Sequence, residues 1–93
     1  MPRTPRLSES QVVAELKGLA GWERHGDEIR KAYAHATFAA AIAFVNRVAK
    51  HAEALDHHPD ILVQYTKVTL TLSTHDSGGL TELDFRLARE LDE

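Results

Sequence analysis

The run Val68-Thr69-Leu70-Thr71-Leu72-Ser73-Thr74 alternates apolar and hydroxyl side chains without a break. Successive side chains on a β-strand point to opposite faces, so this period of two places the valine and leucines on one side and the hydroxyls on the other. Such a segment requires a sheet with one packed face, and three further runs can supply it. Ile61-Leu62-Val63-Gln64-Tyr65 precedes it through a turn at Thr66-Lys67, which makes a hairpin. Trp22-Glu23-Arg24-His25 is turned by Gly26-Asp27 into Glu28 to Ala36, a second hairpin. In that segment Ile29, Tyr33 and His35 share one parity, and Ala32, Ala34 and Ala36 the other. The alanines weaken its strand propensity.

Helical signals fill the spaces between the hairpins. Ser8 with Gln11 reads as a capping box, and Leu7 is placed to staple against Val12. Val12, Val13, Leu16 and Leu19 follow at helical spacing until Gly18 and Gly21 close the segment. Thr37 caps the longest helix, expected over Phe38 to Leu55, with a stripe of Phe38, Ile42, Val45, Val48, Ala49 and Ala52 widened by Phe44 and Leu55. Its seven alanines suit close approach of a neighbouring element. Pro59 disfavours helical backbone at His58, so the helix is expected to stop at the corner Asp56-His57-His58-Pro59. Thr81 and Asp84 suggest a further capping box, opening a last helix with Leu83, Leu87 and Leu91 in line. Consecutive hairpins favour an antiparallel sheet, so the expected class is α+β. The expected architecture is a four-stranded antiparallel sheet covered by helices, in the order α-β-β-α-β-β-α.

The 93 residues make one small domain, expected over residues 8–93, behind a loose basic tail at residues 1–7 that carries Pro2 and Pro5. With no cysteines, neither disulfides nor thiolate metal sites can supplement the core. A domain this small buries a limited share of its surface, which makes subunit association attractive. A net charge of −3 argues against a nucleic-acid surface. No apolar run is long enough for a membrane span or a leader, and a cytoplasmic protein is the expectation.

Six histidines are a surplus that needs sorting. His25 and His51 fall at positions expected to face solvent, and His35 shares a face with Ile29 and Tyr33 as a half-buried packing residue. His57, His58 and His75 differ, because each stands where the backbone leaves an element. Together with Glu53 and Asp84 they hold enough nitrogen and oxygen to consider a metal. Adjacent histidines diverge, however, and the pair His-Glu-x-x-His is absent, so no metal is expected. Ser77 lacks the strand–elbow–helix setting of a serine nucleophile. Gly78-Gly79 without a Lys-Ser/Thr reads as a turn rather than a phosphate cradle. General acid–base chemistry fits best: with an ordinary pKa of ~6.5, one imidazole can give a proton at neutral pH while another takes one. Glu53 and Asp84 could fix the tautomers.

The run from Glu53 through Asp56-His57-His58-Pro59, then Tyr65, then Ser73-Thr74-His75, then Gly78-Gly79-Leu80-Thr81 and Asp84, resembles the pterin-4a-carbinolamine dehydratases. Agreement extends back through Arg47-Val48-Ala49 and Phe44 to Gly21-Trp22. The resemblance implies dehydration of 4a-hydroxytetrahydrobiopterin to quinonoid dihydropterin, recycling tetrahydrobiopterin with no cofactor beyond the pterin substrate itself. It implies His57, His58 and His75 as catalytic residues, Glu53 and Asp84 as supports, and Pro59, Ile61, Ser73 and Thr74 as substrate contacts. It further implies a homodimer or homotetramer formed by joining sheets and packing helices. Ile61 and Leu62 stand where the family often has aromatic residues, which leaves one wall of the pocket in question. Two other roles follow from the resemblance as alternatives. One is a protein partner's dimerisation cofactor, acting through the Phe38–Leu55 helix on a transcription factor. The other is a pterin-related task in molybdenum-cofactor metabolism.

Overall fold

Two β-hairpins become one sheet because their inner strands pair with each other. The computed structural model describes residues 4–92. It holds helix α1 (Glu9–Leu16), strands β1 (Glu23–His25) and β2 (Glu28–Ala34), helix α2 (Phe38–Leu55), strands β3 (Asp60–Gln64) and β4 (Lys67–Leu72), a short 3-10 turn (His75–Ser77) and helix α3 (Glu82–Leu91). All neighbours run antiparallel in the order β1-β2-β4-β3. The α+β expectation and its element order hold. The joint between the hairpins is the β2–β4 ladder, from Ile29 opposite Leu72 to Ala34 opposite Lys67.

Ile29, Val68, Leu70 and Leu72 are fully buried and share one face of the sheet. Against them pack Ala41 and Val48 of α2, with Phe85, Leu87, Ala88 and Leu91 of α3. Val12, Leu19 and Trp22 close one end of this core. The hydroxyls of Thr69 and Thr71 lie on the other face, so the alternation of β4 carries the meaning assigned to it. The rings of His35 and Phe44 meet at a tilt of 38° with centroids 5.0 Å apart, and the buried Nε2 of His35 has no hydrogen-bond partner among the described residues.

Several local expectations are corrected. The β3–β4 turn is Tyr65-Thr66, not Thr66-Lys67, because Lys67 already pairs with Gln64 and Tyr65 takes a left-handed φ of 55°. Strand β4 ends at Leu72, and His75 opens the 3-10 turn rather than ending a strand. On α2 the apolar stripe splits: Phe38, Ile42 and Ala49 face outward, and Ala41 instead reaches the core. A 3.6-residue period shows that a helix has an apolar side, but two adjacent apolar sides blur into one. Of the N-terminal tail, residues 4–7 lie along the domain, with Arg6 bridged to Thr81 and Leu7 N–H donating to the Leu80 carbonyl at 2.9 Å. Residues 1–3, including Pro2, lie outside the described residues.

Candidate functional site

The corner after α2 is set by Asp56. Its φ of 50° and ψ of 44° are left-handed, a conformation that Asp tolerates better than most side chains. Asp56 N–H donates to the Glu53 carbonyl at 3.2 Å and His57 N–H to the Ala52 carbonyl at 3.0 Å, the paired bonds of a Schellman motif. The helix has therefore ended at Leu55 before Pro59 can act, so the proline follows the stop rather than causing it. The outcome is the expected corner, and it turns His57 inward and leaves His58 outside.

His57 is 8% exposed, and its Nε2 lies 2.5 Å from Asp84 Oδ1. Asp84 is fully buried at the first turn of α3. Its other oxygen, Oδ2, accepts from Thr74 Oγ1 at 2.8 Å and from Thr81 N–H at 2.9 Å. The Thr81 hydroxyl lies 2.7 Å from Thr74 Oγ1 and also accepts from Leu83 N–H at 3.2 Å. Each donor then has one acceptor: Thr81 Oγ–H gives to Thr74, and Thr74 Oγ–H gives to Asp84. An ionised Asp84 can only accept, so in this contact Nε2 of His57 is the donor. The capping box of α3 and the anchor of His57 are thus one carboxylate.

The other predicted residues divide clearly. His58 Nε2 contacts Glu53 Oε1 at 2.7 Å, with both side chains more than half exposed. His75 is exposed and follows directly after Thr74, one residue from the buried network. It lines a polar cavity of about 400 Å³ with His25, Asp27, Glu28, Ser73, Gly78 and Gly79. Pro59 is half-buried immediately before β3. Ile61 is 38% exposed and sits opposite Leu70, on the helix-covered face of the edge strand. The hydroxyls of Ser73 and Thr74 are both engaged inside the chain, Ser73 donating to the Asp27 carbonyl at 2.8 Å. Among the described residues no group of three or more metal-ligating side chains could hold an ion.

His25 is exposed, as expected, and also borders the cavity of His75, because the β2–β4 pairing brings the first hairpin's turn beside the end of β4. The other histidine expected in solvent differs. His51 is half-buried, with Nδ1 at 3.0 Å from Glu90 Oε1 across α2 and α3. That hydrogen bond, reinforced by Arg86, holds the Glu90 carboxyl below its usual range. Thr81 is the member of the buried network that was read only as a cap. The expected partnership of Asp84 with an imidazole is present, but nothing in the capping box pointed to the Thr81 hydroxyl as a further link, through Thr74, to that carboxylate.

A sequence profile of the family described as pterin 4 alpha carbinolamine dehydratase matches residues 5–93. A provisionally named pterin-4-alpha-carbinolamine dehydratase of Roseiflexus sp. (strain RS-1) is 53% identical over 88 residues, covering 95% of each chain. A crystal structure from Brucella melitensis, described as a transcriptional coactivator/pterin dehydratase, superposes with a TM-score of 0.89 at 37% identity, covering 94% of this chain and 95% of that one. A pterin dehydratase-like protein described as a RuBisCO assembly factor of the alpha-carboxysome superposes with a TM-score of 0.65 at 27% identity, covering 77% of this chain and 86% of that one. The chain belongs to the pterin 4 alpha carbinolamine dehydratase family.

Proposed function

We propose that this protein dehydrates 4a-hydroxytetrahydrobiopterin to quinonoid dihydropterin and water by histidine acid–base catalysis, recycling tetrahydrobiopterin. The observation that carries the reading is the buried pair His57–Asp84, 2.5 Å apart. In the reaction the C4a–O bond breaks, the hydroxyl leaves as water after taking a proton, and N5 loses its proton as a C4a–N5 double bond forms. The atoms balance with one acid and one base. An imidazole held by a buried carboxylate has a fixed ring and tautomer, and its positive form is stabilised when it takes a proton. Glu53 orients His58 in the same manner at the surface. His57, His58 and His75 form the acid–base set, Glu53 and Asp84 support it, and Pro59, Ile61 and the Ser73-Thr74 backbone border the pterin.

The cavity beside His75 has Arg6 at its edge, held over Gly79 and paired with Asp27. Turnover of biopterin-type against molybdopterin-type substrates separates this reading from a pterin-related task in molybdenum-cofactor metabolism. Stopped-flow turnover of 4a-hydroxytetrahydrobiopterin tests the whole reading. The double variant His57→Ala/His75→Ala is expected to lose about 10²–10⁴-fold, the usual worth of acid–base catalysis. Unchanged turnover would overturn the mechanism.

Exposed apolar side chains support self-association as a second property. Phe38 (50% exposed) and Ile42 project from α2, and Ile61 and Leu62 (54%) lie on edge strand β3. A homodimer or homotetramer would cover both, and light scattering at micromolar concentration decides. A role on a foreign protein would use the same α2 surface. Recovery of only the chain itself in a pull-down argues against that role.

A further inference from the structure

The segment read as a loose tail meets the His75 loop at several points. Arg6 is bridged to Thr81, Leu7 N–H donates to the Leu80 carbonyl at 2.9 Å, and the Ser77 hydroxyl donates to the Thr4 carbonyl at 2.5 Å. The Arg6 side chain then runs to the β1–β2 turn, where its guanidinium donates to Asp27 Oδ1 at 2.9 Å. On the way it passes over buried Gly79. A Cβ placed on Gly79 would stand 2.7 Å from Arg6 Nε and 3.2 Å from Cζ. Asp27 is tied back to the end of β4 through its carbonyl, which accepts from Ser73. Gly79 pairs with Thr74 by backbone bonds of 3.0 and 3.3 Å. Arg6, Asp27, Ser73, Thr74 and Gly79 thus close a ring of contacts at the cavity that holds His75 and His25.

We propose that Arg6 is a positioning residue: a strut that holds the His75–Gly79 loop against the tip of the β1–β2 hairpin and so fixes where His75 presents its imidazole. Gly79 leaves room for this strut. Its φ lies outside the left-handed region, so backbone conformation alone does not require glycine, and a Cβ there would displace the guanidinium. The exposed pair Arg6–Asp27, 55% and 57% accessible, adds little to global stability. Its effect is local, on the loop that it crosses.

The inference rests on the proposed function only in giving His75 a task, and its test separates the two. Arg6→Ala, Gly79→Ala and the double variant are compared by amide exchange at Gly78 and Gly79 and by NMR titration of the His75 ring. Each single variant is expected to speed loop exchange by about tenfold and to alter the His75 titration, with the melting temperature little changed. Gly79→Ala displaces the same guanidinium that Arg6→Ala removes, so the double variant should be no worse than either single one. Arg6→Lys keeps the charge without the planar group and should restore the loop only in part. In stopped-flow turnover, the single variants are expected to lower kcat/KM by about three- to tenfold, what one misplaced hydrogen bond is worth. Additive effects in the double variant, or loop exchange unchanged while the melting temperature falls, would overturn the strut. A wild-type protein with coupled loop exchange but no dehydratase turnover would overturn the proposed function and leave the strut standing.

Discussion

Asp84→Asn is the substitution that tests most directly how this molecule is built. It changes almost no volume and removes one charge from a fully buried side chain. Asp84 accepts from three donors: His57 Nε2, Thr74 Oγ1 and Thr81 N–H. An asparagine amide has one accepting end and one donating end. With its oxygen towards His57, its NH₂ faces Thr81 N–H, and that buried donor is orphaned. With its oxygen towards the threonines, its NH₂ faces His57 Nε2, and the ring must switch tautomer. Leaving a buried donor unpaired costs about 1–3 kcal/mol, and a hydrogen bond to a charged group is worth about 1.5–3 kcal/mol. Together they predict a loss of about 2.5–6 kcal/mol, a range that brackets the cost of breaking a buried ion pair. A domain of this size is typically stable by about 5–15 kcal/mol. At about 4–8 °C per kcal/mol, the midpoint should fall by at least 10 °C or so in a circular-dichroism melt. Glu53→Gln is the internal control, since the Glu53–His58 pair has a similar length but is exposed. It should cost no more than about 0.5 kcal/mol. Equal losses in the two variants, or less than about 1 kcal/mol for Asp84→Asn, would refute the reasoning that burial sets the worth of these pairs.

Two further outcomes follow from single residues. Asp56→Gly should stabilise the fold by about 0.5–1 kcal/mol in urea titration, because glycine adopts the left-handed C-terminal position without a Cβ penalty; a loss would show that the Asp56 side chain does more than tolerate its φ. Burial, and then the hydrogen bond to Asp92 at 2.8 Å, push the Tyr33 phenol above its ordinary range. A raised acid favours the protonated fold, so this stability is complete below the unfolded tyrosine value and is lost as pH rises past it. In a Tyr65→Phe background, the ultraviolet signal of the Tyr33 phenolate should appear only together with alkaline unfolding, and its appearance in a folded protein would refute this.

What could be read from the residues was local. Thr37 and Leu55 bound α2 as the capping and periodicity indicate, and Ser8–Gln11 and Thr81–Asp84 both form full capping boxes. Strand β4 announces its two faces because every second residue repeats one chemistry. What was not legible depends on distant segments. The β2–β4 ladder joins residues some forty positions apart, from Ile29 with Leu72 to Ala34 with Lys67, and nothing in either strand names its partner. The neighbourhood of His25 and the burial of His51 follow from such contacts. The outward turn of Phe38 and Ile42 has the same origin, since a helix does not encode which of its apolar sides meets the sheet. The cause of the stop at Asp56, though not its place, was hidden for another reason: Pro59 offered a sufficient cause three residues later, and aspartate is a rare occupant of the position that glycine usually fills.

The carboxylate of Asp84 also makes the site a clock. Its partners come from the end of α2 and from the segment after β4, so the β3–β4 hairpin must close and both helices must dock before His57 meets Asp84. Local helices form within microseconds, whereas contacts between distant segments wait on loop closure. In a refolding experiment helical signal should therefore return early, and the low-field proton of His57 Nε2 late. Any competence that depends on that imidazole arrives with the final docking step, and not in fractions along the way.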